Sequence, residues 1–366
     1  MTRRPKLLFL SQTLPYPPDG GVHIRTYNIM RQLARAFDIR ALCFYRRKAR
    51  ASGLTLDDSI RGLSSIASVE VFPIPQEHNR ARLVWDHARS TATRRAYTVF
   101  AYHSAAYAHR LATVLAGEAI DLVHADSLDL SAYFPRVRRL PLVCVHHDAQ
   151  SVLLTRRAAV ERAAWRRAYV RHQARLMERE ERLWCPRVTL NVTVSETDAE
   201  ALAQLAPAAK FTVVPNGVDT EFFRPSDAEP DGMEIVFVGG TTWFPNRDAL
   251  EYFAREVLPR IHALGIRPRV RWVGRSTPAE RRSFGELGIE LTGYVEDIRR
   301  HVQRAGCYVV PLRVGGGTRV KILDAWAMGK AVVSTSIGCE GLAATDGANI
   351  LIRDDPAAFA EAVAAV

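Results

Sequence analysis

Short apolar runs alternate with amphipathic stretches along almost the whole chain. Each run is only a few residues long and is bounded by polar or turn residues, so the pattern predicts buried strands separated by helices. Before residue 196 the predicted strands are 6–11, 39–44, 69–74, 121–125, 142–146 and 189–195. After it they are 234–239, 269–274, 289–293, 307–312 and 331–336. Strands that alternate with helices indicate βαβ units and parallel sheets.

The helical stretches complete one such array in each half of the chain. Predicted helices run from Gly20 to Phe37, from about 80 to 116 and from Arg156 to Trp184, and later lie near 245–263, 278–287, 295–304, 318–328 and 355–366. A length of 366 residues suits two domains. Pro and Asn-Gly in PNGVD at 215–219 break the pattern, and we place the domains at 1–205 and 206–366.

The predicted fold class is therefore α/β, with two doubly wound Rossmann-like domains. Sheets of this kind bind ligands beyond the carboxyl ends of their strands, so we expect the functional site in a cleft where the two domains face each other. The final stretch, DPAAFAEAVAAV, is amphipathic. We expect a full domain to continue beyond it, so that the second domain lacks its final helices.

Composition excludes several protein classes. Hydrophobic residues make up 48% and charged residues 24%, which is unlike a disordered or collagen-like chain. The five cysteines are scattered without a CxxC pair, which is typical of reduced thiols in the cytoplasm. No apolar run is long enough to span a bilayer, and the apolar run near the start is too short for a signal peptide. We expect a cytoplasmic protein. Peripheral association with the inner face of the plasma membrane is compatible with this location.

The positive charge lies in the first half of the chain. Residues 1–190 carry 31 Lys and Arg against 16 Asp and Glu, while the remainder carries 19 against 23. This asymmetry indicates an anionic partner: lipid, a polyprenyl-linked acceptor or nucleic acid. The arginines and aromatic residues of 80–110 favour a membrane interface or a lipid-linked acceptor. The charges of 156–184 are more typical of a solvated helix face.

The strongest chemical motif is PLRVGGGTRVKILDAWAMGKAVVST at 311–335. Three glycines, Gly315, Gly316 and Gly317, separate a predicted strand from a helix that begins near Thr318. Glycines admit an anion close to the backbone, and a helix N-terminus adds partial positive charge. Arg319 and Lys321 add formal charge, and Asp324 can accept hydrogen bonds from a ribose. The motif predicts either a nucleotide diphosphate site or a glycine-rich turn beside a charged helix face.

A second polar cluster follows two neighbouring strands of the first half. His124, Asp126 and Ser127 follow one strand, and His146, His147 and Asp148 follow the next. Adjacent strand ends share one edge of a parallel sheet, so these residues can contact an acceptor or a sugar hydroxyl, with Asp126 or Asp148 as a proton acceptor. Hydrogen bonding and capping at strand ends are the alternative explanation. We favour function for His147 and the structural explanation for His146 and Asp148.

Four blocks of the sequence resemble the family-four retaining glycosyltransferases of the GT-B fold. They are PYPPDGGVHIRTYNI, VVPNGVDTEFFRP, FVGGTTWFPNRDAL and GGGTRVKILDAWAMGKAVVSTSIGCEGL, in the order of the family. The similarity favours the branch of bacterial sugar transferases associated with exopolysaccharide and PEP-CTERM systems. It implies a UDP- or GDP-linked sugar donor in the second domain and a glycan or polyprenyl-linked acceptor mainly in the first.

The resemblance also assigns individual positions. Gly20 and Gly21 match the glycine loop beside the phosphates of the donor, and His147 matches a residue that touches the transferred sugar. Tyr294 and Val295 match the backbone that holds the base. Asp324 takes the place of the second Glu of the family's Glu-x7-Glu motif, which holds the ribose. Gly240 and Gly274 follow strands of the second domain and complete the predicted donor site, together with Gly315, Gly316, Gly317 and Thr318.

The sequence also departs from the family. Gly316 stands where the first Glu of that motif would be, and Gly240 stands at the place of an Arg that belongs to an Arg…Lys pair. The basic residue near the second place of that pair is Arg247 rather than Lys. We expect Arg319 and Lys321, and less so Arg313, to provide the missing charge.

The resemblance implies chemistry without a metal or a cofactor. Backbone N–H groups and cations at the leaving diphosphate stabilise its developing negative charge, and the leaving phosphate itself can deprotonate the acceptor hydroxyl. The sequence contains no metal-ligand motif of the DxD or HExxH type. A nucleotide-sugar 2-epimerase and a non-catalytic nucleotide-sugar-binding protein are the alternatives, and the basic, aromatic first domain favours an acceptor and therefore a transferase. Nucleic-acid binding rests on charge alone and no recognised motif supports it, so we expect no nucleic-acid partner.

Overall fold

The computed structural model describes residues 3–46, 53–77, 79–226 and 230–366, and the chain divides into two α/β units. The first unit ends at Pro215 and the second begins at Asn216. We expected the division at 205/206, before the strand that completes the first sheet. This strand, Phe211–Val213, was not predicted, and its pairing extends the first unit.

A seven-stranded parallel sheet forms the centre of the first unit. Its strands are β1 Lys6–Ser11, β2 Asp38–Tyr45, β3 Ser68–Pro73, β4 Leu122–Ala125, β5 Leu142–His146, β6 Leu190–Thr193 and β7 Phe211–Val213. They lie in the order β3-β2-β1-β4-β5-β6-β7. Leu7 and Leu10 of β1 have no exposed surface, as expected for a central strand covered on both faces. The strand order reverses between β1 and β4, so side chains that follow these two strands meet at one point.

Helices cover both faces of this sheet. They are α1 Gly21–Leu33, α2 Leu56–Arg61, α3 Arg80–Thr93, α4 Tyr97–Ala101, α5 Ala105–Gly117, α6 Phe134–Val137, α7 Gln150–Val160, α8 Ala164–Trp184 and α9 Glu196–Leu205, with 3-10 turns at Leu128–Tyr133 and Cys185–Arg187. One apolar core surrounds Tyr107 and Tyr133, and another surrounds Met30 and Leu63.

Two of the predicted long helices are interrupted. The stretch 80–116 is three helices, because Arg94 adopts the left-handed conformation after α3 and Ser104 caps the start of α5. The stretch 156–184 is divided between α7 and α8, because the backbone is extended at Glu161 and Ala163. The break lets α7 and α8 pack against each other.

The second unit has a six-stranded parallel sheet. Its strands are β8 Asp231–Val238, β9 Arg269–Val273, β10 Ile289–Gly293, β11 Ala305–Val310, β12 Ala331–Ser334 and β13 Leu351–Ile352. They lie in the order β10-β9-β8-β11-β12-β13, so the order reverses between β8 and β11. Phe237 and Trp272 stack in its core with ring centroids 3.8 Å apart.

The helices of the second unit connect these strands. They are α10 Phe244–Tyr252, α11 Leu258–Ala263, α12 Pro278–Gly285, α13 Arg299–Arg304, α14 Val320–Ala327, α15 Ser336–Cys339 and α16 Pro356–Ala364, with a π-helical turn at Phe253–Val257. Each strand predicted for this half is present, and β13 is additional. Two parallel sheets with helices on both sides confirm the predicted fold class of two Rossmann-like domains. Among the described residues, no helix is both long and apolar enough to cross a membrane.

Candidate functional site

Three loops meet at the carboxyl edge of the second sheet, where β8, β9 and β10 end. Gly274 has a φ of 143°, and a Cβ there would lie 2.6 Å from the backbone nitrogen of Gly240. The backbone N–H of Gly274 donates to the Gly293 carbonyl at 3.1 Å. Because only glycine permits this approach, the predicted positions Gly240 and Gly274 form one surface of bare backbone.

Lys321, on the first turn of α14, reaches the loop after β8. Its Nζ donates to Oδ1 of Asn246 at 3.0 Å and lies 3.9 Å from the centroid of the Phe237 ring. The Nδ2 of Asn246 in turn donates to the Gly240 carbonyl at 3.0 Å. Burial, and secondarily the charge of Arg319, lowers the pKa of Lys321 well below its usual value. The structure therefore holds a partly desolvated ammonium group under the loop where the family's Arg is absent.

Arg319 lies against the glycine loop itself. Its guanidinium donates to the Gly317 carbonyl at 2.6 Å, to the Gly316 carbonyl and to the Ile337 carbonyl at 3.3 Å. The side chain is buried, and a Cβ at Gly315 would lie 2.0 Å from its Nη2. Gly317 has a φ of 64°, the left-handed conformation that favours glycine. These contacts give Arg319 the geometry of a residue that shapes the loop.

Thr318 and Asp324 belong to the same segment. The hydroxyl of Thr318 accepts a hydrogen bond from Nδ2 of Asn216 at 2.6 Å. Asp324 lies one turn after Lys321 and is nearly buried. Burial raises the pKa of its carboxyl to about 7, while the Lys321 charge opposes this shift. The carboxyl therefore changes its charge near neutral pH, and a neighbouring cation or hydroxyl favours the ionised form.

The remaining predicted positions of this unit lie beside the loops. Tyr294 is 37% exposed, and the guanidinium of Arg275 lies 5.5 Å from its ring centroid. Val295 packs against the core of the unit. Arg313, the weaker candidate for the missing charge, forms an ion pair with Asp248 at 2.7 Å, so its charge is largely neutralised.

In the first unit, Asp126 is the centre of the predicted polar cluster. It lies just after β4 and is almost fully buried. Its Oδ2 accepts from Oγ1 of Thr26 at 2.7 Å and from Oγ of Ser11 at 3.3 Å. These partners come from α1 and β1, at the point where the strand order reverses. The Asp126 carboxylate therefore holds the Thr26 and Ser11 side chains, and with them the first half of α1 and the end of β1, in place.

His147 is anchored by Asp126. Its Nε2 lies 2.9 Å from the Asp126 carbonyl oxygen and 3.6 Å from the carboxylate oxygen Oδ1. Burial lowers the pKa of His147, but the charge of Asp126 and its hydrogen bond outweigh burial, so the net shift is upward. An imidazolium held beside a strand end can orient or stabilise an oxygen of a bound ligand.

Three other residues of this cluster, His124, Ser127 and His146, are buried and contact other residues of the protein. His124 is buried, stacks on Phe9 with centroids 4.4 Å apart, and has a pKa lowered to about 4 by desolvation. Ser127 is buried and caps a 3-10 turn by accepting from the Asp129 N–H at 3.1 Å. His146 bonds to Oδ1 of Asn191 at 2.9 Å, as the structural explanation predicts. Acceptor contacts for His124, Asp126 and Ser127 stay predictions.

The glycines at the start of α1 are not required by packing within the protein. A Cβ at Gly21 would meet no atom within 4 Å, and at Gly20 it would meet only Nδ1 of His23, at 3.4 Å. His23 lies on the first turn of α1, and its Nε2 is 2.5 Å from Oγ1 of Thr13. Sequence reasoning missed His23, although it lies within the block that carries the resemblance.

Asn246 and Thr26 were also missed. Both lie in the quoted blocks, but an amide or a hydroxyl has no spacing signal of its own, and their partners are distant in sequence. Among the residues that the structure describes, no group of three or more His, Cys, Asp or Glu side chains could hold a metal.

The geometry can be compared with known proteins. Residues 19–222 match the family model described as Glycosyltransferase Family 4, and residues 232–366 match the model described as Glycosyl transferases group 1. None of the curated proteins matches the sequence.

Solved structures resemble the whole chain at low sequence identity. The Anabaena protein Alr3699/HepE in complex with UDP-glucose is 16% identical with a TM-score of 0.62, over 98% of this chain and 89% of that one. A glycosyltransferase from Rickettsia africae is 14% identical with a TM-score of 0.59, over 99% and 88%. A UDP-forming α,α-trehalose-phosphate synthase from Burkholderia vietnamiensis is 11% identical with a TM-score of 0.56, over 98% and 91%. These structures share the fold, and the family models show that the chain belongs to the family-four glycosyltransferases.

Proposed function

We propose that this glycosyltransferase moves a sugar, with retention of configuration and without a metal, from a UDP- or GDP-linked donor to a saccharide or lipid-linked acceptor. The proposed setting is cell-surface polysaccharide synthesis. The observation that carries the proposal is the Lys321 ammonium, held 3.0 Å from Asn246 at a surface of glycine backbone. The complexes of the Anabaena protein with UDP and UDP-glucose support a nucleotide-sugar donor.

The diphosphate of the donor would lie between the loop after β8 and the start of α14. Gly240 and Gly274 let the loops after β8 and β9 pack backbone against backbone with no side chain over them, and backbone N–H groups at the start of α14 would bind a diphosphate placed there. Lys321 supplies a formal charge there. Arg319 contributes by fixing the carbonyl groups of the glycine loop, so that the backbone N–H groups of the loop are preorganised.

Cleavage of the glycosyl–phosphate bond moves negative charge onto the leaving diphosphate. A preorganised hydrogen-bond donor at such a site typically contributes about 2.7–4 kcal/mol to transition-state stability. Lys321 is well suited because its ammonium is partly desolvated and donates to a neutral amide oxygen, Oδ1 of Asn246, at 3.0 Å. Asp324, one turn further along α14, is suited to accept hydrogen bonds from the ribose hydroxyls.

The first unit would supply contacts to the transferred sugar and the acceptor. His147 is the residue that we assign to the sugar, because Asp126 orients its ring and favours its charged form. The leaving phosphate deprotonates the acceptor hydroxyl on the face where the new bond forms. No carboxylate nucleophile is assigned, since Asp126 is held by Thr26 and Ser11.

Saturation-transfer NMR on the purified chain, with UDP, GDP, ADP and CMP in competition, tests the donor class. We expect a clear preference for UDP or GDP, followed by transfer from the matching nucleotide sugars to membrane lipid extracts, with the anomeric configuration of the product read by NMR. Failure to bind any nucleotide would contradict the donor site. Release of an isomerised sugar without transfer would indicate an epimerase, and binding without either reaction would indicate a non-catalytic protein.

A further inference from the structure

Helix α3 is amphipathic in the reverse of the usual sense. Its buried residues, Asp86 and Ser90, are polar. Five of its exposed apolar residues recur at helical spacing and form one stripe, made of Ala81, Val84, Trp85, Ala88 and Ala92, while Leu83, 38% exposed, lies outside this stripe. Val84 is 68% exposed and Trp85 is 62% exposed. A surface helix normally turns its apolar side inward, so this stripe needs an explanation outside the unit.

The inward polar side of α3 is engaged both within the helix and by neighbouring elements. Within α3, Nε of Arg82 donates to both carboxylate oxygens of Asp86, at 2.8 and 2.9 Å, and Nη2 of the same guanidinium donates to the His103 carbonyl outside the helix at 3.1 Å. Nε2 of Gln173, from α8, donates to Oγ of Ser90 at 2.9 Å. These contacts fix the rotation of the helix, so the apolar stripe cannot turn into the core without breaking them.

Helix α8 brings a second exposed tryptophan to the same end of this helix pair. His87 of α3 contacts Tyr169 of α8 with ring centroids 5.5 Å apart, Ser90 contacts Gln173, and Arg95 pairs with Glu180 at 2.7 Å. In these three contacts the residue numbers of α3 and its following turn increase together with those of α8, so the two helices run in the same direction. Trp85 and Trp165 both precede the first of these contacts, and Trp165 is 70% exposed.

Positive charge surrounds these tryptophans. Four exposed arginines lie in the first turns of the two helices or just before them: Arg80, Arg162, Arg166 and Arg167. Residues 162–177 contain no Asp or Glu, because the acidic residues of α8 are confined to its end. Asp86, the acidic residue of α3, is buried and paired with Arg82. Glu161, directly before Arg162, is the carboxylate nearest to these arginines in sequence, so positive charge exceeds negative charge in α3 and the first part of α8.

We propose that this region, the Trp85–Trp165 face, rests on an anionic membrane surface. Tryptophan favours the headgroup region, where its ring is half in an apolar environment and half in water. Apolar contact and attraction between arginines and lipid phosphates then act together. The inference gives the proposed transferase a location beside lipid-linked acceptors, so its meaning rests on the proposed function, but its test does not require transfer activity.

Co-sedimentation of the full chain with vesicles tests this inference. One set of vesicles contains phosphatidylcholine alone, and the other contains equal parts phosphatidylcholine and phosphatidylglycerol. We expect binding to the anionic vesicles that falls at high salt, because each arginine near such a surface raises partitioning about fivefold at physiological ionic strength. The double variant Trp85→Ser with Trp165→Ser should partition at least about tenfold more weakly. Arg162→Gln with Arg166→Gln should bind the anionic vesicles about 25-fold more weakly, with a smaller preference that Arg80 and Arg167 maintain.

The matched control is Leu264→Ser with Leu287→Ser, which removes two exposed apolar side chains, 49% and 44% exposed, from the second unit. This variant should bind vesicles like the parent chain. All variants should keep the parent's nucleotide binding, which separates failure here from failure of the proposed donor site. Absence of vesicle binding, or equal binding by the tryptophan variant, would overturn the proposal. So would a parent dimer that the tryptophan variant loses, because the face would then be a protein interface.

Discussion

Lys321→Met is the substitution that tests the proposed site most directly. Methionine keeps an unbranched side chain of similar length, so the contact with the Phe237 ring is retained while the charge is removed. Oδ1 of Asn246 no longer accepts a hydrogen bond from residue 321, but Nδ2 of Asn246 still donates to the Gly240 carbonyl. The substitution therefore changes the electrostatics of the loop after β8 more than its shape.

The expected magnitude follows from where the ammonium lies. A unit charge about 4 Å from a phosphate oxygen contributes at most about 4 kcal/mol at an effective dielectric constant near 20. Part of this acts already in the bound donor, because the diphosphate is charged before the bond breaks. Removal of a single such donor typically costs about 2.7–4 kcal/mol in the transition state. Since Lys321 is partly exposed, we take the lower end, which corresponds to a fall in kcat of about a hundredfold.

The assay is steady-state transfer with the nucleotide sugar identified by NMR, together with calorimetric binding of the nucleotide. We expect kcat to fall about a hundredfold while nucleotide affinity falls less than about tenfold, because the lost interaction strengthens as the bond breaks. Lys330→Met is the matched control. Nζ of Lys330 donates to the Gln303 and Ala305 carbonyls at 2.6 and 3.0 Å, at the opposite edge of the sheet. That variant should lose stability and keep its kcat.

The pH dependence provides a second readout of the same group. The pKa of Lys321 is lowered, so the ammonium loses its proton as the pH rises through that lowered value, and activity should fall on the alkaline side. Lys321→Arg keeps a charge that does not titrate there, and its alkaline fall should be absent. A Lys321→Met enzyme with a kcat within about threefold of the parent would refute the assignment of leaving-group charge to this residue.

Three further predictions concern neighbouring groups. Asp324→Asn should weaken nucleotide binding. The pKa of the Asp324 carboxyl is raised in the folded protein, so the parent loses stability as the pH rises from about 4 to about 7, whereas the variant does not. The melting temperature of the variant should therefore exceed that of the parent by more at pH 8 than at pH 5. His147→Gln should lower kcat by about 10²–10³, the typical effect of removing one stabilising hydrogen-bond donor, with little change in nucleotide affinity, and an unchanged kcat would remove His147 from the reaction. Thr26→Val deletes a 2.7 Å hydrogen bond to buried Asp126 and should cost about 1–3 kcal/mol of unfolding free energy, measured by urea denaturation.

The fold was largely predictable because hydrophobic periodicity reports burial directly. Central strands such as β1 and β11 are covered on both faces, so their residues form continuous apolar runs. The short edge strands β7 and β13 were not predicted, since two or three half-buried residues leave no such run. The break at Glu161 was also missed, because no Pro or Gly marks it and tertiary packing sets the angle between α7 and α8.

The glycine loop before α14 was predictable from the sequence, whereas the side-chain contacts around it were not. Glycine spacing located the loop before α14, because bare backbone leaves a compositional trace. The sequence alone did not show that Arg319 bonds to the carbonyls of that loop whereas Lys321 reaches Asn246, since this depends on side-chain direction at the start of a helix. Likewise, the burial of His124 and the capping by Ser127 depend on contacts with Phe9 and Asp129.

The position of Lys321 explains how the loop after β8 can lack the family's cation and still be suited to a diphosphate. The order of the second sheet reverses between β8 and β11, so the segments that follow these strands converge at one point. A charge needed there can come from α10, which follows β8, or from α14, which follows β11. Here α10 provides the neutral amide of Asn246 and α14 provides the ammonium, 3.0 Å away. The requirement is for a cation at a place in space, and two different helices of this topology can meet it, so the absence of Arg at Gly240 does not argue against catalysis.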